Sequence, residues 1–268
     1  MFEADNWLKE CDGFLIDLDG TLYRGHDAVP HAKEFVEWLN RTGKKYLFVT
    51  NNSSRLPRQV AAKLREMGIP AEEEHVFTSS QATAMYIRNH SKVVTPAVYA
   101  IGEEGLLSAL TDLGCRWEEE NPDYVVVGID RDFTYQKLMT ASLAIRKGAV
   151  FLGTNADKRV PTEKGLVPGA GSLSRAVAAA SGGEPVWIGK PEARMVEYSL
   201  QRIGTTPDRT VMIGDNLETD ILAGINGGIR TVLVLTGYSS RRDAERSSHK
   251  PDMILEDLSE FLRCFEIE

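Results

Sequence analysis

The chain has 268 residues, enough for one large α/β domain or two smaller ones. Hydrophobic residues make up 42% of it and charged residues 26%, which excludes a collagen, a coiled-coil rod and a disordered tail. Its formal net charge of −8 opposes binding to nucleic acid and to anionic membranes. A phosphorylated ligand would therefore need a local positive site.

Cysteine usage and the N-terminal segment favour a cytoplasmic protein. Cys11, Cys115 and Cys264 are scattered and lack C-x-x-C spacing, so neither a disulfide framework nor a zinc site is expected. Residues 1–14 lack the basic and apolar regions of a signal peptide, and no apolar run of about 18 residues occurs. We therefore expect a cytoplasmic protein with no membrane span.

Short apolar runs alternate with longer amphipathic stretches, a pattern typical of βα units around a parallel sheet. The first helix is predicted from Phe35, Val36 and Leu39 before a stop at Gly43, and a second runs from Pro57 to Gly68. The predicted strands are Gly13–Asp17, Lys45–Thr50, Val98–Gly102, Tyr124–Gly128, Val150–Gly153, Val186–Gly189, Val211–Gly214 and Thr231–Leu235.

Four of these runs, FLIDLD, YLFVTN, VWIGK and VMIGD, are apolar until their C-terminal ends turn polar. Continuous apolar runs are typical of parallel strands that are buried on both faces. In open α/β sheets the ligand crevice lies beyond the carboxyl ends of the strands. We therefore predict that one edge of one sheet gathers Asp17, Asp19, Thr50, Asn51, Lys190 and Asp215.

A long stretch between YLFVTN and VWIGK has its own alternation of strand-like apolar runs and amphipathic, helix-like segments. We predict that residues 81–184 form a second domain inserted into a first domain made of residues 1–80 and 185–268. Thr78–Thr83 and Ser181–Gly183 are the candidate hinges, because small residues reduce the cost of bending.

Two acidic clusters follow predicted strands. Asp17 and Asp19 precede Gly20, which permits a tight turn, so one carboxyl could attack or bind metal while the other exchanges protons. Asp215 and Asp220 form the second cluster, and Asp17 with Asp215 would make a ligand set for Mg²⁺. Helix capping for the first cluster, and a helix-terminal charge for Asp220, remain alternatives.

Lys190 and the segment beginning at Thr50 are candidate phosphate ligands. Pro191 is expected at the first helical position, which would place Lys190 at the crevice edge, where it could neutralise a phosphoryl group. Thr50 and Asn51 offer a hydroxyl and backbone N–H groups. A surface lysine and a polar turn are the alternatives.

Motifs for several other chemistries are absent. The chain has no G-x-x-x-x-G-K-[ST], G-x-G-x-x-G or G-x-S-x-G, and its five histidines never adopt H-E-x-x-H spacing. ATPase, dinucleotide-dependent dehydrogenase, serine hydrolase and zinc protease activities are therefore disfavoured.

The segments DLDGTL, VTNNS, GKP and GDNLETD, in this order and with an insertion between the second and third, resemble the haloacid dehalogenase (HAD) superfamily phosphatases. The position of the insertion, and its segment Gly153–Asp157 followed by Pro168–Ser172, are similar to subclass IIA, the NagD-like or 4-nitrophenylphosphatase-like group. The resemblance implies an α/β fold: a Rossmann-like parallel-sheet catalytic core with an inserted α/β C2-type cap domain.

The resemblance also implies the role of each motif residue. Asp17 would be the nucleophile that forms an aspartyl-phosphate, and Asp19 the acid and base. Mg²⁺ would be held by Asp17, Asp215 and the backbone carbonyl of Asp19. Thr50, Asn51 and Lys190 would bind the phosphoryl oxygens. Asp220 and Asn216 would support these groups, with Asp220 orienting a metal-bound water or Lys190.

The favoured hypothesis is a Mg²⁺-dependent phosphomonoesterase acting on a small phosphorylated metabolite, with Asn155 and Asp157 of the cap facing the substrate or forming a turn. Sugar phosphates, nucleoside monophosphates, phosphoglycolate and aromatic phosphates all fit. A non-catalytic sensor of a phosphometabolite is the alternative, and transfer to an acceptor other than water shares every motif. A homodimer through cap surfaces is a further expectation.

Overall fold

The computed structural model describes residues 7–162 and 164–265, in which strands alternate with helices along the chain. The strands are β1 Gly13–Ile16, β2 Tyr23–Arg24, β3 Asp27–Ala28, β4 Lys45–Thr50, β5 Val76–Thr78, β6 Ala97–Ile101, β7 Arg116–Trp117, β8 Tyr124–Val127, β9 Val150–Gly153, β10 Arg159–Thr162, β11 Gly165–Pro168, β12 Val186–Trp187, β13 Thr210–Gly214, β14 Arg230–Val234 and β15 Met253–Leu255. The helices are α1 Trp7–Glu10, α2 Ala32–Arg41, α3 Pro57–Glu66, α4 Ser79–His90, α5 Glu104–Asp112, α6 Tyr135–Arg146, α7 Ala170–Ser181, α8 Ala193–Ile203, α9 Leu222–Asn226, α10 Arg241–Arg246 and α11 Leu258–Arg263.

The chain divides into two compact units. The first consists of the residues up to Thr50, the segment Arg58–Phe77 and the residues from Lys190 onward. The second consists of Asn51–Pro57 and Thr78–Gly189. These bounds differ from the predicted ones at residues 51–57, 78–80 and 185–189, all of which belong to the second unit.

The first unit is built on a six-stranded sheet with the order β15-β14-β13-β1-β4-β5. The pairs from β15 to β4 are parallel, as the apolar runs predict. Every residue of β1 is buried, and Phe14 packs edge-on against Trp38 of α2 and Phe261 of α11 with ring centroids 5.9 and 6.0 Å apart. Aromatic packing of this kind fixes the helices on the sheet.

The second unit has its own parallel sheet, with the order β12-β9-β8-β6-β7. Alternate residues of β8 enter different cores: Val125 and Val127 pack with residues of α6 and α7, whereas Val126 packs with residues of α4 and α5. Helices therefore cover both faces of this sheet, and each unit is an α/β layer structure. The expected fold class is confirmed.

Two predicted details are wrong. The VWIG run was expected in the same sheet as the other three motif strands, but β12 pairs with β9 in the second unit. A buried apolar run looks the same in either sheet, and only its pairing partner distinguishes them. Pro191 was expected to open a helix, but Glu192 is extended and α8 begins at Ala193.

The candidate hinges stay predictions. Thr78 ends β5 and caps α4, where Thr78 and Gln81 form a capping box that the sequence reading overlooked. Ser181 ends α7, and Gly182 terminates it in the left-handed conformation.

In the described part of the chain, no helix combines the length and the apolar character that crossing a membrane requires.

Candidate active site

Three neighbouring strands of the first unit end at the same edge of its sheet. β1 lies between β4 and β13, and Ile16 is in register with Phe48 and Ile213. Asp17 therefore leaves β1 level with Gly214, the last residue of β13, and Asp215 follows directly. The Asp17 backbone N–H donates to the carbonyl of Ile213 at 2.9 Å and prolongs the pairing by one residue.

Asp220 joins these two aspartates through a single π-helical turn, Leu217–Ile221. The turn is closed at Asn216, whose backbone N–H donates to Asp220 Oδ2 at 3.1 Å. Gly214 makes room, because a Cβ there would collide with the Asp220 side chain. Carboxylate oxygens of Asp17, Asp215 and Asp220 all lie within 4.8 Å of one another, and all three residues are buried.

Lys190 is the cation of this cluster. Its Nζ donates to Asp17 Oδ1, to Asp220 Oδ1 at 2.7 Å and to the carbonyl of Val49 at 3.0 Å. The residue is only 3% exposed, so its ammonium is enclosed by these acceptors. The structure thus brings Lys190 to the sheet edge as predicted, although the strand before it belongs to the other unit.

Burial and like charge dominate the electrostatics of the cluster. Desolvation, then the charge of Asp220, raise the pKa of Asp17 well above its usual range, against the opposing effect of Lys190. The same two causes raise the pKa of Asp215 to about 7, although the Tyr238 N–H opposes them. Burial disfavours the Lys190 ammonium, but Asp17 and Asp220 outweigh it and raise the pKa of Lys190. The lysine therefore stays charged among acids that are difficult to ionise together.

A loop after β14 completes the site, and the sequence reading overlooked it. The Tyr238 N–H donates to Asp215 Oδ2 at 2.5 Å, and the Ser239 N–H donates to the Asp215 carbonyl at 3.0 Å. Thr236 Oγ1 donates to the carbonyl of Gly20 at 2.7 Å, so the loop also holds the turn after β1. The sequence contains a signal for this loop, because the segment LVLTG turns from apolar to polar at its C-terminal end, as the four motif strands do.

Asp19 occupies a different environment from the three buried aspartates. The residue is exposed and forms a backbone bridge with Tyr23 across the tight turn. The atoms packed around its carboxyl still exclude enough water to raise its pKa, against the opposing charge of Lys63. Its metal contact through the backbone carbonyl stays a prediction.

Thr50 and Asn216 complete the predicted residues of the first unit. Thr50 is buried as the last residue of β4. The Asn216 side chain accepts the Glu218 N–H at 2.9 Å, so it caps the turn that carries Asp220. Their predicted roles toward substrate and metal stay predictions.

The other three predicted residues form a network within the second unit. Asn51 donates from its side-chain amide to Asp157 Oδ2 at 3.0 Å, and the Asn51 carbonyl accepts the Asn155 amide at 2.7 Å. Asn155 Oδ1 also accepts the Asp157 N–H at 3.1 Å, and Asn155 is 4% exposed. These contacts tie Asn155 into a turn, while the substrate-facing roles of Asn155 and Asp157, and the phosphate-binding role of Asn51, stay predictions.

Comparison with known proteins agrees with this arrangement. Residues 14–116 match the family model of haloacid dehalogenase-like hydrolases, and residues 187–261 match a second, HAD-hydrolase-like model. The chain is 48% identical to the 5'-nucleotidase YutF of Bacillus subtilis, over 95% of this chain and 99% of that protein. It is 43% identical to an acid sugar phosphatase of Staphylococcus aureus, over 97% of this chain and 100% of that protein.

Among solved structures, NagD from Escherichia coli K-12 superimposes with a TM-score of 0.89 at 31% identity, covering 93% of this chain and 98% of NagD. Both the sequence relatives and this structural neighbour span nearly the whole chain, including the inserted unit. The chain belongs to the haloacid dehalogenase-like hydrolases, in the NagD-like subclass IIA, and is an enzyme of the phosphomonoesterase class.

Proposed function

We propose that the protein is a Mg²⁺-dependent phosphatase that hydrolyses small phosphomonoesters through a phosphorylated Asp17. The observation that carries this proposal is the buried cluster of Asp17, Asp215, Asp220 and Lys190 at the carboxyl edge of the first sheet. A purely structural lysine–aspartate pair would need only one carboxylate. Three buried carboxylates around one ammonium leave an excess of negative charge, which supports a site for a cation and a phosphoryl group.

The residues fit a magnesium ion by their chemistry. Mg²⁺ prefers hard oxygen ligands and is usually held by one or two carboxylates, waters and phosphate oxygens. Asp17 and Asp215 would hold the ion, with the Asp19 carbonyl as a third protein ligand. Both oxygens of Asp220 already accept, one from Lys190 and one from the Asn216 N–H. The ion would offset the charge of the phosphoryl oxygens and of the carboxylates, whose pKa values are raised by burial first and then by the charge of Asp220.

The protein residues then carry the two halves of hydrolysis. An Asp17 carboxylate oxygen attacks phosphorus, the bond from phosphorus to the ester oxygen breaks, and Asp19 gives its proton to the departing oxygen. Water next attacks the phosphorus of the aspartyl-phosphate, its proton passes to Asp19, and the bond to Asp17 breaks. The net reaction consumes one ester and one water and releases an alcohol and phosphate.

Lys190 and Thr50 are proposed to bind the phosphoryl oxygens during both steps. Lys190 is already held beside the attacking carboxylate by three acceptors, so its charge is in place before substrate arrives. Fixed charge of this kind is the main contribution of proteins to phosphoryl transfer.

The names of two relatives suggest the substrate class. One is a 5'-nucleotidase and the other an acid sugar phosphatase. We therefore propose nucleoside monophosphates and sugar phosphates as the first substrates to test, with the inserted unit acting as a cap that selects among them.

The test is phosphate release by the purified protein from a panel of nucleoside monophosphates, sugar phosphates and 4-nitrophenyl phosphate, with Mg²⁺ and with EDTA. We expect the wild type to release phosphate only with the metal. In Asp17→Asn the rate of release should fall by at least about 1,000-fold. Asp27→Asn, which changes an exposed aspartate on β3, is the matched control and should retain full activity. Binding of a phosphate ester without release from any member of the panel would instead favour a sensor.

A further inference from the structure

We propose that Lys63 is a positioning residue for Asp19, acting through Tyr23 on the turn after β1 that carries the carboxyl proposed to protonate the leaving oxygen. The inference rests on the proposed function, because it assigns a supporting cation to the acid and base of that reaction. Two contacts support it: Lys63 on α3 lies over the ring of Tyr23, and the backbone of Tyr23 pairs with that of Asp19.

Tyr23 fixes the backbone on both sides of Asp19. The Gly20 N–H donates to the Tyr23 carbonyl at 2.7 Å, and the Tyr23 N–H donates to the Leu18 carbonyl at 3.2 Å. Asp19 and Tyr23 also form a backbone bridge. The position of Tyr23 therefore determines the position of the Asp19 main chain.

Lys63 is held against the same tyrosine. Its Nζ lies 3.8 Å from the centroid of the Tyr23 ring, within the range of a cation–π interaction. Tyr23 is 8% exposed and packs in the core of the first unit, so the ring is a fixed platform for the ammonium. Lys63 is itself half-buried, and the loss of solvent strengthens the attraction to the ring.

Lys190 and Lys63 lie beside different parts of the proposed site. Lys190 donates to Asp17 and Asp220. Lys63 instead lies over the ring of Tyr23, whose backbone pairs with Asp19. Each lysine thus serves a different carboxyl of the proposed reaction: Lys190 accompanies the nucleophile, and Lys63 accompanies the acid and base.

This arrangement has a consequence for the leaving group. An alkyl alcohol departs only as a protonated group, whereas 4-nitrophenolate departs without a proton. Loss of a group that positions the acid should therefore slow phosphoryl transfer from an alkyl phosphate and leave transfer from 4-nitrophenyl phosphate almost unchanged. A general defect of folding or of phosphate binding would slow both.

The test compares kcat/KM of the Mg²⁺-loaded wild type and Lys63→Met for an alkyl phosphate and for 4-nitrophenyl phosphate. We expect a loss of about tenfold with the alkyl phosphate and less than about threefold with the nitrophenyl ester. The tenfold loss is smaller than the usual contribution of general acid catalysis, because Lys63 only positions the acid. Lys63→Arg should recover most of the loss. Lys33→Met, an exposed lysine on α2 that faces Glu37, is the matched control and should match wild type with both esters.

A double-mutant cycle decides whether Lys63 acts through Asp19. In an Asp19→Asn background, Lys63→Met should add less than about twofold, because the group that it positions has already been removed. Equal losses with the two esters, no loss in Lys63→Met, or a full additional loss in the Asp19→Asn background would overturn the inference. Wild-type protein that releases phosphate from neither ester would refute the proposed function itself.

Discussion

At the scale of single residues, charge imbalance distinguishes this site from an ordinary buried ion pair. Lys190 contacts Asp17 and Asp220, and Asp215 adds a third carboxylate with no cation of its own in the described site. Buried charges destabilise a fold unless they are compensated, and removal of one partner of a buried pair typically costs about 3–5 kcal/mol. The cluster therefore lowers the stability of the fold, and a bound divalent cation would offset its excess negative charge.

The same imbalance predicts how stability depends on pH without metal. The pKa of Asp17 is raised, and that of Asp215 is raised to about 7, against about 3.9 in an unfolded chain. The stability that these groups contribute is therefore full below the unfolded value and is lost as the pH rises through about 7. Asp215→Asn removes one of them, so in EDTA we expect the variant to lose roughly 1–2 kcal/mol less stability than wild type between pH 5 and pH 8.

Urea unfolding at the two pH values measures this difference. Asp208→Asn, which changes an exposed aspartate in the turn before β13, at the opposite end of that strand from Asp215, is the matched control and should follow wild type. An identical pH dependence for Asp215→Asn and wild type would contradict the assignment of raised pKa values to the cluster.

At the scale of elements, the site depends on turns that follow strands. β1 and β13 are adjacent and parallel, but their ends alone bring together only Asp17 and Asp215. Asp220 needs the π turn after β13, and Asp19 needs the tight turn that Tyr23 closes. Gly20 lies in this second turn with φ of +92°, and a Cβ there would meet the Asp215 carboxylate.

Gly20→Ala should therefore impair both stability and activity. A left-handed backbone costs a non-glycine residue about 1–2 kcal/mol, and the collision with Asp215 adds to that cost. Gly25→Ala is the matched control, because Gly25 has φ of +60° but no atom within 4 Å of an added Cβ. We expect both variants to lose stability by urea unfolding, whereas kcat/KM falls at least about 100-fold only in Gly20→Ala. Equal activity in the two variants would show that the contact between Gly20 and Asp215 is unimportant.

At the scale of the whole molecule, apolar runs predicted the sheets well. β4 and β9 have the predicted bounds, and the other predicted strands are found with their ends shifted by one or two residues. The two predicted helices are also found, as α2 and α3. Among the strands, β1, β8 and β13 are buried along their whole length, so their hydrophobic pattern is strong.

Short elements and sheet membership were not predictable in the same way. β2, β3 and β7 have two residues each, too few for any periodicity. β12 also has two residues, and its assignment to the second sheet depends on pairing with β9, a contact that local pattern does not encode. Likewise, nothing local distinguishes the extended Glu192 from the first residue of a helix.

For the site, sequence reasoning identified the residues more readily than their surroundings. Asp17, Asp215 and Lys190 were identified from polar residues that follow apolar runs, and Asp220 from the acidic cluster that it forms with Asp215. The structure brings the four together. The Tyr238 N–H and the Val49 carbonyl are backbone groups, which any side chain can accompany, so no residue type indicates them. Lys63 belongs to an amphipathic helix, where a lysine ordinarily indicates only a solvated face.

The central claim is that phosphate passes through Asp17, and covalent trapping tests it most directly. Protein quenched during turnover is treated with borohydride, which reduces an acyl phosphate to an alcohol and so converts a phosphorylated aspartate into homoserine. We predict homoserine at position 17 by peptide mass spectrometry, only when substrate and Mg²⁺ are present and never in Asp17→Asn. Phosphate release with an unmodified Asp17, or with homoserine at another aspartate, would contradict the account.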